Sequence, residues 1–581
     1  MQNRYTDERN VQILVSLLKQ HGIKRVIASP GTTNITFVEC LQGDPFFEVF
    51  SSVDERSAAY MACGMAAETG EPVVLSCTGA TASRNYLPGL TEAFYRKLPV
   101  LAVTSTQHPG RIGRNVPQVM DRRSPLNDVC VYSFQSRSIA SADDRLECEL
   151  CTNEALLELT RHGGGPVHID LVTTYSDGFS ADGLPVARKI DRIFPGDDLP
   201  PLEGKRVEVF VGAHRPWSEK LVAAVDSFCA TYGAAVLCDQ TSNYRGAYRV
   251  LAGLVSKQEC GQIACNHADV IVYIGDISGA YLNLPACEVW RVNPDGRIRE
   301  PFGTLRYVFE MNEQEFFESY AAKTDSMATF NVSDEWDAAD ASLRDRMPEL
   351  PFSNIWCAEQ MASELPENAV LHLGILNTLR SWNFFETPNS VSCFCNTGGF
   401  GIDGCVSTLI GASLVSPEKL FFGVVGDLAC FYDLNSMGNR HVGSNLRIML
   451  VNNGVGTEFK NYSHKAAQFG EDADSFMAAR GHFGAQSPDL MHHYAEDLGF
   501  EYLSASNKEE FSSVVGRFTD SEMHDRPLLL EVFTDSQAES DALKAVSQIE
   551  VDAKHAAKAA IKGALGDKGV SAVKNCWGGR R

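Results

Sequence analysis

Two apolar runs in the last third of the chain end abruptly in polar residues. Leu420-Phe-Phe-Gly-Val-Val-Gly426 gives way to Asp427, and Leu446-Arg-Ile-Met-Leu-Val451 gives way to Asn452-Asn453. As parallel strands, both place these side chains at carboxyl ends, facing the crevice where α/β sheets bind ligands. A carboxylate, a side-chain amide and nearby loop carbonyls are hard oxygen ligands, suited to Mg²⁺ or Ca²⁺ and unsuited to zinc. Mg²⁺ held by so few protein groups completes its octahedron with phosphate and water. A helix opening at Leu428-Ala429 would offer free backbone N–H groups to one of those phosphates. Either dipeptide alone is a common turn signal, but Asp427 and Asn453, 26 residues apart, together suggest a magnesium-bridged diphosphate.

A second motif competes with the first. Gly399-Phe-Gly401-Ile-Asp-Gly404 fits the G-x-G-x-x-G string, follows a strand-like Val391–Cys395 and precedes a helix-like Cys405–Leu414. Asp427 lies downstream at the distance of a ribose-binding acid, so an NAD-binding oxidoreductase stays open on these residues. Asn452-Asn453 has no part in that reading. Near the N-terminus, Glu55 stands at the mouth of a short strand and opens a small-residue helix that reads as deeply buried. It is either a functional carboxylate or an N-terminal cap favoured by the helix dipole. Cys148-Glu-Leu-Cys151 is a single CxxC in a helical stretch, too few ligands for structural zinc. His492-His493 reads as a surface or capping pair.

The elements that must position these residues alternate in a βαβ rhythm. A helix at 11–18 is followed by strands near 25–29, 72–76, 100–105, 166–171, 206–211, 270–274, 369–373, 420–425, 446–451 and 528–532, most of them continuously apolar as doubly covered strands should be. Asp/Gly/Pro-rich stretches at 173–205 and 324–351 read as linkers. The expected architecture is α/β, with three doubly wound parallel-sheet domains at 1–180, 205–325 and 351–548, and a basic tail at 549–581. From 551 on, the tail holds seven Lys/Arg against two Asp on an Ala-rich stretch, as a solvated end or a lid over an anionic site.

Composition narrows the partners. The 581 residues carry a formal charge of −23, which argues against nucleic acid or an anionic membrane as a partner and favours a small charged metabolite. The start has no apolar signal region and no run of about 18 apolar residues occurs, so a cytoplasmic protein is expected. The 17 cysteines are scattered and odd in number, as buried free thiols of a reducing compartment are.

Taken together, these residues resemble the thiamine-diphosphate-dependent decarboxylase and carboligase superfamily. Within it the chain is most similar to the menaquinone-pathway 2-succinyl-5-enolpyruvyl-6-hydroxy-3-cyclohexene-1-carboxylate synthases. The likeness includes Ser29-Pro-Gly31, Asp54-Glu-Arg56, the segment Thr78–Pro88, Gly165-Pro-Val-His-Ile169, Pro294-Asp-Gly-Arg297, Gly401–Gly404, Gly426-Asp-Leu428 and Tyr432-Asp-Leu-Asn435. The resemblance implies a pyrimidine-binding, a central and a diphosphate-binding domain, with thiamine diphosphate and Mg²⁺ as cofactors. Glu55 would face the aminopyrimidine ring and relay its proton. Ile402 would hold the cofactor bent, and the Phe400 carbonyl would accept from its amino group. Gly426, Asp427, Leu428, Asn453 and Val455 would receive the diphosphate, with Asp427, Asn453 and the Val455 carbonyl on the metal. The resemblance gives G-x-G-x-x-G a different use, close backbone approach to the pyrimidine. It also implies active sites shared between subunits, hence a homodimer or homotetramer.

Gln118, Arg380 and Phe459 also fall on family positions, Arg380 near a donor's distal carboxylate and Phe459 beside the thiazolium. Glu458 is expected to be solvent-exposed. Departures are as informative: Thr33, Gln107 and Thr397 stand where the family has arginines, and Ser278-Gly-Ala-Tyr281 lies where it has a Lys-Arg pair. Bidentate carboxylate capture is lost at each arginine position. The expected activity is decarboxylation of a 2-oxo acid, 2-oxoglutarate among the candidates, with carbon–carbon bond formation to an acceptor other than isochorismate. A non-ligating decarboxylase, an acetolactate-synthase-like enzyme and a cyclic diketone hydrolase are the alternatives.

Overall fold

A computed structural model describes residues 4–174, 177–259, 263, 265–280, 282–322, 328–482 and 487–550. The basic stretch from 551 on and Tyr281 lie outside the described residues. Two compact units result, Met1–Phe194 with Gly296–Val308, and Pro195–Asp295 with Phe309–Arg581. The fold is α/β, built on three parallel sheets.

The first unit carries β1 (Arg25–Ala28), β2 (Glu48–Ser51), β3 (Val73–Thr78), β4 (Val100–Thr106), β5 (Tyr132–Ser136) and β6 (Val167–Val172) in the order β2-β1-β3-β4-β6-β5. β3, β4 and β6 are buried along their whole length, because helices cover both faces of a parallel sheet and continuous apolar runs satisfy both. The helix Glu55–Thr69 follows β2 and packs its alanine face against the helix Leu87–Tyr95. A Cβ on Gly89 would collide with the Cβ of Ala59, so only glycine permits this approach. Cys148 and Cys151 are free thiols on one helix, Ala142–Glu158. Burial raises both, Cys148 to about 11, which leaves them poor ligands and nucleophiles. β7 (Asp191–Ile193) ends this unit's first segment.

The second unit holds β8 (Val207–Val211), β9 (Ala235–Cys238), β10 (Arg249–Leu251), β11 (Ala268–Ile274) and β12 (Ala286–Val292), adjacent in the order β10-β9-β8-β11-β12. β13 (Leu305–Phe309) comes next in the chain. The third sheet, β14 (Val370–Leu373), β15 (Ser392–Phe394), β16 (Phe421–Gly426), β17 (Leu446–Asn452), β18 (Glu501–Ala505) and β19 (Leu528–Phe533), runs β15-β14-β16-β17-β19-β18. Within this unit Gln240 N donates to Asn383 Oδ1 at 2.7 Å, and Asn243 exchanges two bonds with the Cys393 backbone at 2.8 and 2.9 Å. These amides tie the loop after β9 to the helix Asn377–Trp382 and to β15 of the third sheet. Among the described residues no helix is long and apolar enough to cross a membrane.

Candidate active site

β16 and β17 are parallel neighbours, with Gly426 level with Val451. Their carboxyl ends therefore lie side by side, and Asp427 and Asn453 line one cavity of about 120 Å³. Asp427 is buried; its Oδ1 accepts from Leu428 N at 2.7 Å and its Oδ2 from Gly454 N at 2.8 Å. Asn453 Oδ1 accepts from Val455 N at 3.3 Å. Burial pushes the Asp427 carboxyl up to about 6, and the surrounding N–H groups only partly offset this. Among the described residues no cationic side chain pairs with it. A buried carboxylate without counter-charge, beside an amide oxygen and the Val455 carbonyl, has the chemistry of a divalent-cation site. The expected free N–H of Leu428 is not free, because Asp427 itself takes it, and the following helix, Asp427–Tyr432, is only six residues long.

The same cavity gathers Ile402, Gly426, Leu428, Val455 and Phe459. Ile402 packs against the core that includes Cys405, Val406 and Ala429. Phe400, two residues earlier, holds a left-handed backbone with φ 56. Behind Ile402, the Asp433 carboxylate accepts the backbone N–H and hydroxyl of Ser407, fixing the first turn of the helix Cys405–Leu414. Phe459 is half-exposed and stands edge-on to His464, ring centres 5.3 Å apart.

Two lining residues carried no sequence signal. Glu539 looks like an ordinary first-turn acid of the helix Ser536–Ser547, yet it is buried and accepts from Asn354 N at 2.9 Å and Thr534 Oγ1 at 2.7 Å. Burial raises its carboxyl to about 7. Leu376 adopts φ 72, ψ −123, a region that glycine alone occupies without strain. Asn452 has a structural task instead, donating to Glu531 Oε1 on β19 at 2.7 Å.

Arg380 lies in an adjoining cavity of about 140 Å³ that shares Asn377, Thr457, Glu458 and Glu539 with the first. Its Nη1 donates to both carboxylate oxygens of Glu458, at 2.6 and 2.7 Å. Glu458 was expected in solvent; its side chain is only 20% exposed because the turn Thr457–Lys460 folds it back onto Arg380.

In the first unit, the cap of the helix Glu55–Thr69 is Asp54, whose Oδ1 accepts from Arg56 N at 2.9 Å and Ser57 N at 3.3 Å. Capping therefore does not account for Glu55, which is half-exposed and accepts from Asn85 Nδ2 at 3.2 Å. The helix was expected to be deeply buried, but only its alanine face is: Tyr60 and Met61 are 48% and 40% exposed. Gln118 sits on an exposed loop with φ 65. The hydroxyl of Thr33 is spent internally, on Ser105 O at 2.7 Å and Thr78. Gln107 accepts from Arg111, and Thr397 is buried. His492 is a surface residue, stacked on Tyr502 and 3.3 Å from Glu496.

The family described as "Thiamine pyrophosphate enzyme, N-terminal TPP binding domain" matches residues 9–124. With three parallel α/β sheets, the fold is that of a thiamine-diphosphate-dependent enzyme. The 2-succinyl-5-enolpyruvyl-6-hydroxy-3-cyclohexene-1-carboxylate synthases of Bacteroides fragilis and Phocaeicola vulgatus are each 31% identical to it, over 93% of this chain and 98% of theirs. The chain belongs to the family of these synthases. That membership replaces the dinucleotide reading of Gly399–Gly404. A solved Rhodococcus jostii thiamine diphosphate-dependent 4-hydroxybenzoylformate decarboxylase aligns over 90% of this chain and 99% of its own, at 19% identity and a TM-score of 0.40.

Proposed function

We propose that this enzyme uses Mg²⁺ with thiamine diphosphate to decarboxylate a 2-oxo acid and join the resulting acyl unit to an acceptor through a new carbon–carbon bond. The observation that carries the metal and diphosphate is the buried Asp427 carboxylate, without a cationic partner among the described residues, in one cavity with Asn453 and Val455. Bound thiamine diphosphate supplies the electron sink for carbanion chemistry. Asp427, Asn453 and the Val455 carbonyl would hold the metal and so help receive the diphosphate, while Ile402 and Phe459 line the apolar side of the cavity. The Phe400 carbonyl would accept a hydrogen bond from the cofactor's amino group. Glu55, oriented by Asn85, would exchange a proton with the cofactor's pyrimidine ring, and Gln118 would orient substrate.

The working unit is a homodimer or a tetramer built from it. Val53, Tyr60 and Met61, flanking Glu55, expose 77%, 48% and 40% of their surface, an apolar neighbourhood a second copy would cover. The acidic chain and its buried free cysteines support a reducing, cytoplasmic setting. The acceptor differs from isochorismate, because Thr33, Gln107 and Thr397 offer no guanidinium to its carboxylates. The donor is a 2-oxo acid with a second anionic group, such as 2-oxoglutarate.

The test is product analysis of the loaded enzyme with pyruvate or 2-oxoglutarate and aldehyde or enone acceptors. The expected result is CO₂ release coupled to a ligated product. Free aldehyde as sole product would make it a simple decarboxylase.

A further inference from the structure

The cavity beside the metal site holds two cationic side chains, and they are not equivalent. The Arg380 guanidinium is already bound by both oxygens of Glu458. Asn377 fixes the same carboxylate, its amide nitrogen 2.7 Å from Glu458 Oε2 when turned to donate. An incoming carboxylate would have to displace an internal one from Arg380. Lys257 lines the same cavity from the end of the short helix Gly253–Ser256. Among the described residues its ammonium makes no ion pair or hydrogen bond. The nearest acid in sequence, Glu259, is committed elsewhere, to the Tyr462 hydroxyl and to Gln548 Nε2 at 3.1 Å. Burial and the neighbouring Arg380 push the Lys257 ammonium down, and the more distant charges of Glu259 and Glu458 offset this only in part. Ala280 lines this cavity too, at the stretch where the resemblance leads one to expect a Lys-Arg pair.

We infer that Lys257, and not Arg380, is the cation that receives the distal carboxylate of the organic substrate. Glu458 holds Arg380, and Glu539, the other acid of this cavity, is held by Asn354 N and Thr534 Oγ1, so Lys257 is the pocket's cation that no carboxylate among the described residues touches directly, placed by a different element from the loop that has lost its own. This rests on the proposed 2-oxo acid chemistry and adds to it the residue that sets charge specificity. Lys257 is a specificity-determining residue, and the Arg380–Glu458 pair is part of the pocket wall.

The test is titration calorimetry of the protein loaded with Mg²⁺ and thiamine diphosphate, with glutarate and with pentanoate as probes that differ by one carboxylate. Glutarate is expected to bind about tenfold more tightly than pentanoate, the worth of one charge-assisted contact. Lys257→Met should abolish that preference and Lys257→Arg should keep most of it. Cofactor affinity, measured on the same samples, should not change. Glu458→Gln, which releases Arg380, should strengthen glutarate binding further. A Lys257→Met protein that still prefers glutarate overturns the inference, and so does an unaltered loaded protein without any preference. If the unaltered protein does not bind thiamine diphosphate at all, the proposed function itself fails and this inference with it.

Discussion

The carboxylate of Asp427 accepts the backbone N–H of Gly454 at 2.8 Å, so the end of β16 and the turn after β17 close on each other. Gly454 reaches this position with φ 70, a left-handed backbone that glycine adopts without cost. The pairing pre-forms the oxygen cradle, but it leaves a carboxylate buried among N–H donors. A carboxyl raised to about 6 by burial contributes its stability in the protonated form, at low pH. That contribution is lost as pH rises through about 6, and above this the ionised group costs stability unless a cation joins it.

Asp427→Asn should therefore separate stability from binding. At pH 8 without metal, the variant is expected to melt a few degrees higher than the unaltered protein, and Mg²⁺ with thiamine diphosphate is expected to raise only the unaltered protein's melting temperature. Scanning calorimetry with and without cofactor reads both effects. A variant as well protected by cofactor as the original would remove Asp427 from the metal site.

Glu55→Gln keeps shape and hydrogen-bonding capacity while removing the titratable proton. Thiamine diphosphate affinity should stay within about threefold. Exchange of the cofactor's C2 proton, followed by NMR in deuterated buffer, should fall by at least about a hundredfold. Unchanged exchange would refute the role given to Glu55.

Gly89→Ala tests how that glutamate is placed. The added methyl meets Ala59 on the helix that Glu55 opens, and overpacking of this kind costs about 1–3 kcal/mol. The expected outcome is a lower melting temperature with reduced turnover, and both should recover partly when Ala59→Gly is added. No recovery in the double variant would deny the contact.

Glu208, on β8, offers a pH test remote from the site. It is buried, accepts from Trp336 Nε1 at 3.1 Å, and burial raises its carboxyl to about 8. Because its pKa in the fold lies above the ordinary 4.5, its stabilising contribution is complete below pH 4.5 and disappears as pH rises to about 8. Glu208→Gln, which can still accept from Trp336, should lose this slope and be more stable than the original at pH 8.5 by roughly 1–3 kcal/mol. Denaturant unfolding at pH 5 and pH 8.5 distinguishes the outcomes, and an unchanged slope would contradict the assignment.

Sequence legibility followed burial. β4, buried at every residue, could be read directly because a strand covered on both faces is a continuous apolar run. β5 and β18 are edge strands, partly exposed along their length. Without such a run they gave no signal. Asp427 and Asn453 stood out because each interrupts an apolar run at the carboxyl end of its strand. Glu539, Leu376 and Lys257 reach the same region only through tertiary folding, and nothing in their neighbours marks them. Glu458 misled because a charged residue in a polar loop reads as solvated, and its partner Arg380 lies 78 positions away.

Calorimetric titration of the metal-free protein with thiamine diphosphate, with and without Mg²⁺ and with NAD as control, decides whether this chain binds that cofactor through a metal. The expected result is saturable binding near one cofactor per chain with Mg²⁺, at least about a hundredfold weaker binding when the metal is chelated, and no binding of NAD. No binding of thiamine diphosphate in the presence of Mg²⁺, or equal affinity with the metal removed, would contradict it.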